Sequence, residues 1–304
     1  MKFLTIVFFT LSFTAQAKIK LAITIDDLPN HGQLPAGVSR IDVAKKMLAV
    51  LKKEKIPEVY GFINAAKVKD EPLTKEVLNL WVKEGFPLGN HTYTHMDLNT
   101  NSAIDFQKDI RADEEMLSEL NGKMNFKFFR YPYLREGPDM EKRNNIRKFL
   151  AENKYQIAQV SVDFEDWSWN NPYARCADKK DQKSIEWLKK TYQDNAVAKL
   201  EEAALMSHKL LKRDIPHILL LHIGAFDAEM LSDLIKNYRA HGVEFISLTE
   251  ASKDQVYIDD PAIAGKWGSE ILQQIRKARN LKLEDIGMKK YTGYPEKELE
   301  KICL

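Results

Sequence analysis

Ile19-Lys-Leu-Ala-Ile-Thr-Ile-Asp-Asp27 is a short apolar run that ends on two adjacent carboxylates. Further apolar runs follow near residues 59–63, 86–89, 126–130, 156–162, 218–222 and 243–246. Between most of them lie stretches with helical spacing of apolar positions, at 41–54, 74–84, 103–120, 141–152, 184–212 and 228–241. Alternation of this kind predicts a parallel α/β architecture. About seven strands with intervening helices suit a barrel or distorted barrel better than a short open sheet. Gly85, Gly122 and Gly242 fall near the ends of the expected helices, where glycine stops them.

The residues with chemical capacity share a position in this pattern. Asp26 and Asp27 follow the first expected strand, and His91 and His95 follow the third. Arg130 follows the fourth, Asp166 the fifth, and His222 ends the sixth. The C-terminal strand ends are where β/α barrels carry their sites. Taken singly, each motif has an ordinary reading. A lone H-x-x-x-H is more often surface or core histidine, and Asp-Asp after a strand is more often a solvated turn. Convergence on one rim favours a site.

His91-Thr-Tyr-Thr-His95 places two imidazoles four residues apart, on one face of a helical turn. With Asp27 they form an Asp-His-His set that leaves an open position for water or a substrate oxygen. Nitrogen and oxygen donors without thiolate suit a divalent metal, zinc first, with cobalt, nickel or manganese as alternatives. Asp26 cannot readily share the metal face of its neighbour, so it is free to act as a base. Arg130 of Arg130-Tyr-Pro-Tyr133 can hold a carboxylate in a bidentate fork, orienting Asp26 and keeping it ionised. Asp166 of Asp163-Phe-Glu-Asp-Trp167 can pair with His222 and raise its pKa, making it an acid. Trp167 can wall a small apolar pocket or stack on a sugar. Amide hydrolysis needs a nucleophilic water, a base, an electrophile and an acid, and these residues can supply all four.

In this order the five motifs resemble those of the polysaccharide deacetylases, the family 4 carbohydrate esterases with the chitooligosaccharide-deacetylase homology domain. The family's T-F-D-D is met by Thr24-Ile-Asp-Asp27 and its H-[ST]-x-x-H by His91 to His95. R-x-P-Y is met by Arg130 to Tyr133, D-x-x-D-W by Asp163 to Trp167, and L-x-H by Leu220 to His222. The resemblance covers roughly residues 18–250. It implies a distorted (β/α) barrel and a divalent metal, usually zinc. It also implies Asp26 as base, Asp27, His91 and His95 as ligands, Arg130 holding the base, and Asp166 tuning the acid His222. Trp167 and Leu220 would line the acetyl pocket, and the Tyr133 backbone N–H would help to stabilise the oxyanion. Family members often carry an acidic residue just after the final histidine, whereas here Ile223-Gly-Ala follows.

Composition and the two ends complete the reading. The 304 residues are 44% hydrophobic, enough for a sizeable core, and a formal net charge of +2 gives no case for nucleic-acid binding. Residues 1–17 read as a cleaved signal peptide: Met1-Lys2, an apolar run from Phe3 to Phe13, then Ala15-Gln-Ala17. The expected protein is therefore exported, periplasmic or secreted. Its expected partner is an acetylated glycan polymer, with no nucleic acid and no membrane span in the mature chain. Peptidoglycan leads, since the leader has bacterial form and an exported enzyme meets that polymer. Chitin or chitooligosaccharides come next, then O-acetylated glycans, and a catalytically silent glycan-binding protein on the same scaffold is the alternative of another class. Residues 168–183 read as a polar rim loop containing Asn170-Asn-Pro172 and Cys176. Residues 251–304 read as an extension outside the 18–250 catalytic domain, a lid or collar if Cys176 pairs with Cys303 in an oxidising compartment.

Overall fold

The computed structural model describes residues 18–304, and the expected signal peptide lies outside the described residues. In chain order the elements are β1 (Ile19–Leu28), α1 (Arg40–Lys53), β2 (Tyr60–Ile63), α2 (Ala66–Asp70), α3 (Lys75–Lys83), β3 (Leu88–Asn90), α4 (Ala103–Asn121) and β4 (Phe128–Phe129). There follow α5 (Met140–Glu152), β5 (Gln156–Ile157), α6 (Asn170–Asp178), α7 (Gln182–Leu211), β6 (His217–His222), α8 (Ala225–Ala240) and β7 (Val243–Phe245). From Leu21 to Leu28 every residue of β1 is buried. A strand covered on both faces reads as a continuous apolar run, which is why the opening stretch lacks period-two alternation. Local chemistry sets the helix starts: Ser39, Ser102, Asp139 and Asp181 each accept a hydrogen bond from a first-turn backbone N–H.

All strand pairs are parallel, in the order β5-β4-β3-β2-β1-β6, with β7 beside the start of β1. The segment after β5 closes the sheet. Gln156 and Ile157 pair with β4, while Val162 bridges Leu219 of β6. The Val162 N–H donates to Ile218 O at 3.1 Å, and the Leu220 N–H donates to Val162 O at 3.0 Å. The result is the distorted (β/α) barrel that the alternation predicts. The run at 156–162 is not one strand, because it must leave β4 to reach β6 and can pair with each only briefly.

Two other expectations are corrected. Residues 168–183 are not a loop. A single 3₁₀ turn at Asp166–Trp169 leads directly into α6. Pro172 stands in the first turn of α6, where a missing N–H costs nothing. Asn170, Pro172, Ala174 and Cys176 are buried between polar neighbours, so the composition looked like a loop while one face packs. His91–His95 is likewise no helical turn. Thr92 and His95 have φ of 64° and 58°, outside the right-handed helix.

Residues 251–304 are attached to the barrel. Ile271, Leu272, Met288 and Leu299 are buried in the main core. Arg175 donates to the Leu299 and Ile302 carbonyls, each at 3.1 Å from Nη2. Cys176 and Cys303 form a disulfide across a sequence separation of 127 residues. Closing a loop that long stabilises the fold by about 4–5 kcal/mol in the chain-entropy picture. No helix among the described residues is long and apolar enough to cross a membrane.

Candidate active site

Asp26 and His222 are cross-strand partners in the parallel register of β1 and β6. Neighbouring strand ends therefore deliver a carboxylate and an imidazole to the same rim. Successive strand residues ordinarily face opposite sides of a sheet. Asp27 departs from that alternation with a left-handed φ of 68°, and the β1–β2 register shifts between Ile25 and Leu28. Both carboxylates line one cavity as a result.

The loop after β3 brings the histidines in by a different route from a helix. Its backbone is held by side chains. Asn64 donates to the His91 and Thr92 carbonyls at 2.8 and 2.9 Å, and Asp109 accepts from the Thr94 N–H at 3.0 Å. The Nδ1–H of His91 donates to the Arg130 carbonyl at 2.8 Å, which leaves its Nε2 lone pair free. That Nε2 lies 3.6 Å from Asp27 Oδ1, and His95 Nε2 lies 3.4 Å from the same oxygen. Burial and the neighbouring His95 hold His91 well below the ordinary histidine range, and burial also lowers His95. Burial alone would raise Asp27, but Lys67, the His31 hydrogen bond and His95 hold it well below the usual carboxylate range. Two neutral imidazoles and one carboxylate are the protonation states a cation requires.

Asp27 Oδ1 is buried and has no hydrogen-bond partner. One donor atom from each of Asp27, His91 and His95 lies within 4.8 Å of the others. An orphaned carboxylate oxygen facing two imidazole nitrogens fits a divalent ion. Sequence reasoning missed the other groups on Asp27. His31 Nδ1 donates to Asp27 Oδ2 at 2.7 Å, and Lys67 Nζ lies 3.7 Å from Oδ1. The i,i+4 spacing of Asp27 and His31 was the available signal.

Arg130 is buried with Asp26, but not as a bidentate fork. Its Nη1 alone meets both Asp26 oxygens, at 3.3 and 3.2 Å. Nη2 donates to Thr24 Oγ1 at 3.1 Å and Nε to the Ala158 carbonyl at 2.6 Å. The guanidinium is shared between fixing Asp26 and tying three strand ends together. Burial raises the Asp26 carboxyl to about 6, against the lowering effect of Arg130 and His222. Such a carboxylate is a stronger base than an exposed one and is still ionised at neutral pH.

Asp166 accepts from the His222 backbone N–H at 2.7 Å and from its Nδ1–H at 2.9 Å. Burial by itself would lower His222, but the Asp166 charge and hydrogen bond, with Asp27 and Asp26 beyond, push it up to about 10. A further carboxyl, Asp227, stands behind Asp166. Burial and the Asp166 charge raise Asp227 well above the usual range, and Asp166 is held low. Asp227 therefore carries the proton between them, and Tyr192 donates to its Oδ1 at 2.8 Å. The acidic residue missing just after His222 has a buried counterpart on the first turn of α8.

These groups open into a cavity of about 660 Å³. Asp26, Asp27, His91, His95, Tyr133, Trp167, Leu220 and His222 line it, while Arg130 and Asp166 are buried behind the wall. Leu220 is buried, and Trp167 is 46% exposed. Tyr133 sits at a left-handed φ of 56°, with its ring 4.5 Å from that of His95. Trp267, Gly268, Ser269 and Glu270 of the extension also line the cavity, which no sequence motif had suggested.

Known proteins are similar to this chain in sequence and in fold. Residues 14–158 match the family model described as polysaccharide deacetylase. A peptidoglycan-N-acetylglucosamine deacetylase of Bacillus cereus is 30% identical over 150 residues, 49% of this chain and 47% of that protein. The peptidoglycan-N-acetylmuramic acid deacetylase PdaA of Bacillus subtilis is 27% identical over 205 residues, 67% of this chain and 64% of the other. The chain thus spans about half to under two thirds of the length of these curated relatives. Among solved structures, a mutant of a CE4 family pseudoenzyme with restored enzymatic activity superposes with a TM-score of 0.54 at 18% identity, over 77% of this chain and 67% of that one. Over residues 14–158 the chain is thus similar to the polysaccharide deacetylases, and its barrel has the fold of a CE4 family protein.

Proposed function

We propose that this protein is an exported hydrolase that removes acetyl groups from N-acetylated sugars of a polysaccharide, with peptidoglycan as its substrate. The observation that carries the reading is the placement of a buried base, a cation-fitting Asp-His-His set and a proton-bearing histidine around one cavity. The names of the two curated relatives support peptidoglycan over other glycans.

Asp27, His91 and His95 would hold a divalent metal, zinc by its donor set, which when bound polarises an acetyl carbonyl and acidifies water. Asp26 takes the proton of the attacking water, and Arg130 fixes its direction. His222, protonated at neutral pH, gives a proton to the leaving amine, and Asp166 holds its ring by Nδ1 so that Nε2 is the donating atom. Leu220 and Trp167 wall a pocket for the acetyl methyl. The Tyr133 backbone N–H is assigned to the developing oxyanion.

The acid assignment gives a pH prediction. His222 must be protonated to act, so activity falls as pH rises through its pKa. Asp166→Asn removes the charge that raises that pKa, and the alkaline limb of the kcat/KM profile should move to lower pH. An unmoved limb would show that the pairing does not set the acid.

Incubating the mature protein with peptidoglycan, chitin oligomers and O-acetylated xylan, and measuring released acetate together with bound metal, tests the whole reading. Acetate from peptidoglycan above the other two is the expected result. Binding of glycan without any acetate would make the chain a silent binder on this scaffold.

A further inference from the structure

The extension forms part of the cavity wall and is anchored there by ion pairs and hydrogen bonds. Asp260 pairs with Arg143 and Arg147 of α5, at 2.9 Å from Arg143 Nη1 and 3.1 Å from Arg147 Nε. Beyond it, the Gly265 N–H donates to Gly137 O at 3.0 Å, and Asn99 Nδ2 donates to Lys266 O at 2.7 Å. The Ile271 N–H then donates to Val160 O at 2.8 Å, beside the strand that closes the barrel. Between these anchors Gly268 lies against the Tyr133–Leu134 backbone. A Cβ there would stand 1.8 Å from the Tyr133 carbonyl oxygen and 3.0 Å from the Leu134 carbonyl carbon, so only glycine permits this approach.

That contact fixes the residue before it. Trp267 is 76% exposed at the cavity mouth, an unusual position for the largest apolar side chain unless something covers it. The Arg135 guanidinium lies 5.9 Å from the Trp267 ring and 5.0 Å from the Tyr133 ring, and it is held by an ion pair to Asp97. The His95 ring is 4.5 Å beyond that of Tyr133. A line of contacts, edge-on between His95 and Tyr133 and bridged by Arg135, therefore leads from a proposed metal ligand to an exposed indole.

We propose that Trp267 is a sugar-stacking platform, a subsite that holds the pyranose ring next to the one being deacetylated. The inference rests on the glycan reading above and extends it: the substrate is a chain longer than the reacting sugar, and the extension supplies part of its binding cleft. A pyranose presents a flat face of C–H groups to an aromatic ring, and the rigid indole loses little entropy in taking it. The Asp260 and Gly268 contacts make the extension a fixed wall of the cleft.

Trp267→Ala and Trp267→Phe separate this from a structural role, because the side chain is exposed and its removal opens no core. kcat/KM is measured on the dimer and pentamer of N-acetylglucosamine. In Trp267→Ala the pentamer-to-dimer ratio should fall about five- to tenfold, through KM, and Trp267→Phe should recover most of it. An unchanged ratio overturns the platform. If the wild type releases no acetate from either oligomer, calorimetric titration with the pentamer decides the subsite separately, and the deacetylase reading itself fails only if peptidoglycan also releases none. Weaker pentamer binding by Trp267→Ala than by wild type supports the platform; equal binding, or none by wild type, overturns it.

Discussion

Asp26→Asn is expected to keep its metal and its fold while losing about 10²–10⁴-fold in turnover, the usual worth of a general base. Asparagine preserves the shape of the side chain and leaves an oxygen for Arg130 Nη1, now 3.3 and 3.2 Å from the two carboxylate oxygens. It removes a buried carboxyl that is raised to about 6 and fixed by Arg130 at the rim. Asp26→Ala makes a poorer test. It strips the buried guanidinium of its partner, and an uncompensated buried charge costs several kcal/mol of stability, which would confound the loss of activity. The pH profile adds a second reading. The base must be ionised, so wild-type activity should fall as pH drops through about 6, and this acid limb should disappear from the residual activity of Asp26→Asn. Turnover, metal content and melting temperature measured side by side decide the matter. Near-normal turnover at full metal content would place the base elsewhere.

The parts of this molecule legible in its sequence are those with a single dominant cause. β1 is buried on both faces, so its composition alone announces a strand, and the carboxylates at its end mark the rim. The long helices carry their caps in the sequence, as at Ser102 and Asp181. Where two causes compete, the sequence is mute. The bend that turns His91 and His95 together depends on Asn64 and Asp109, polar residues from elsewhere in the chain that satisfy a backbone no helix would satisfy. α6 looked like a loop because its buried face includes an asparagine, Asn170, which receives the Phe226 N–H at 3.0 Å. The 156–162 run was one strand to a periodicity argument and two to a barrel that had to close. Asp227 and the Trp267 strap were invisible for a related reason. Each acts through a contact with a residue far along the chain, Asp166 in one case and Tyr133 in the other, and neither contact leaves a local pattern.

The ligand set yields the other large effect, and it is graded. His91→Ala or His95→Ala removes one of three donors and should abolish stoichiometric metal binding and activity together, read by metal analysis of the purified variants. Two remaining donors cannot fix the geometry that three define. His31→Ala leaves all three donors in place and takes away only the hydrogen bond that orients Asp27 Oδ2, at 2.7 Å. A partner of this kind is worth about 10–100-fold in metal affinity, so His31→Ala should bind metal more weakly yet still fill at high concentration and regain activity there. Lys67, 3.7 Å from Asp27 Oδ1, opposes a bound cation, and Lys67→Met should shift affinity the other way. The ordering separates a metal site from a purely structural cluster. In a structural cluster, His31 and His91 would matter in proportion to their burial, and added metal would rescue neither. Undiminished metal in both His91→Ala and His95→Ala would sink the ligand assignment. Loss in both, with rescue of His31→Ala by metal alone, would identify Asp27, His91 and His95 as the donors and His31 as the residue that aims one of them.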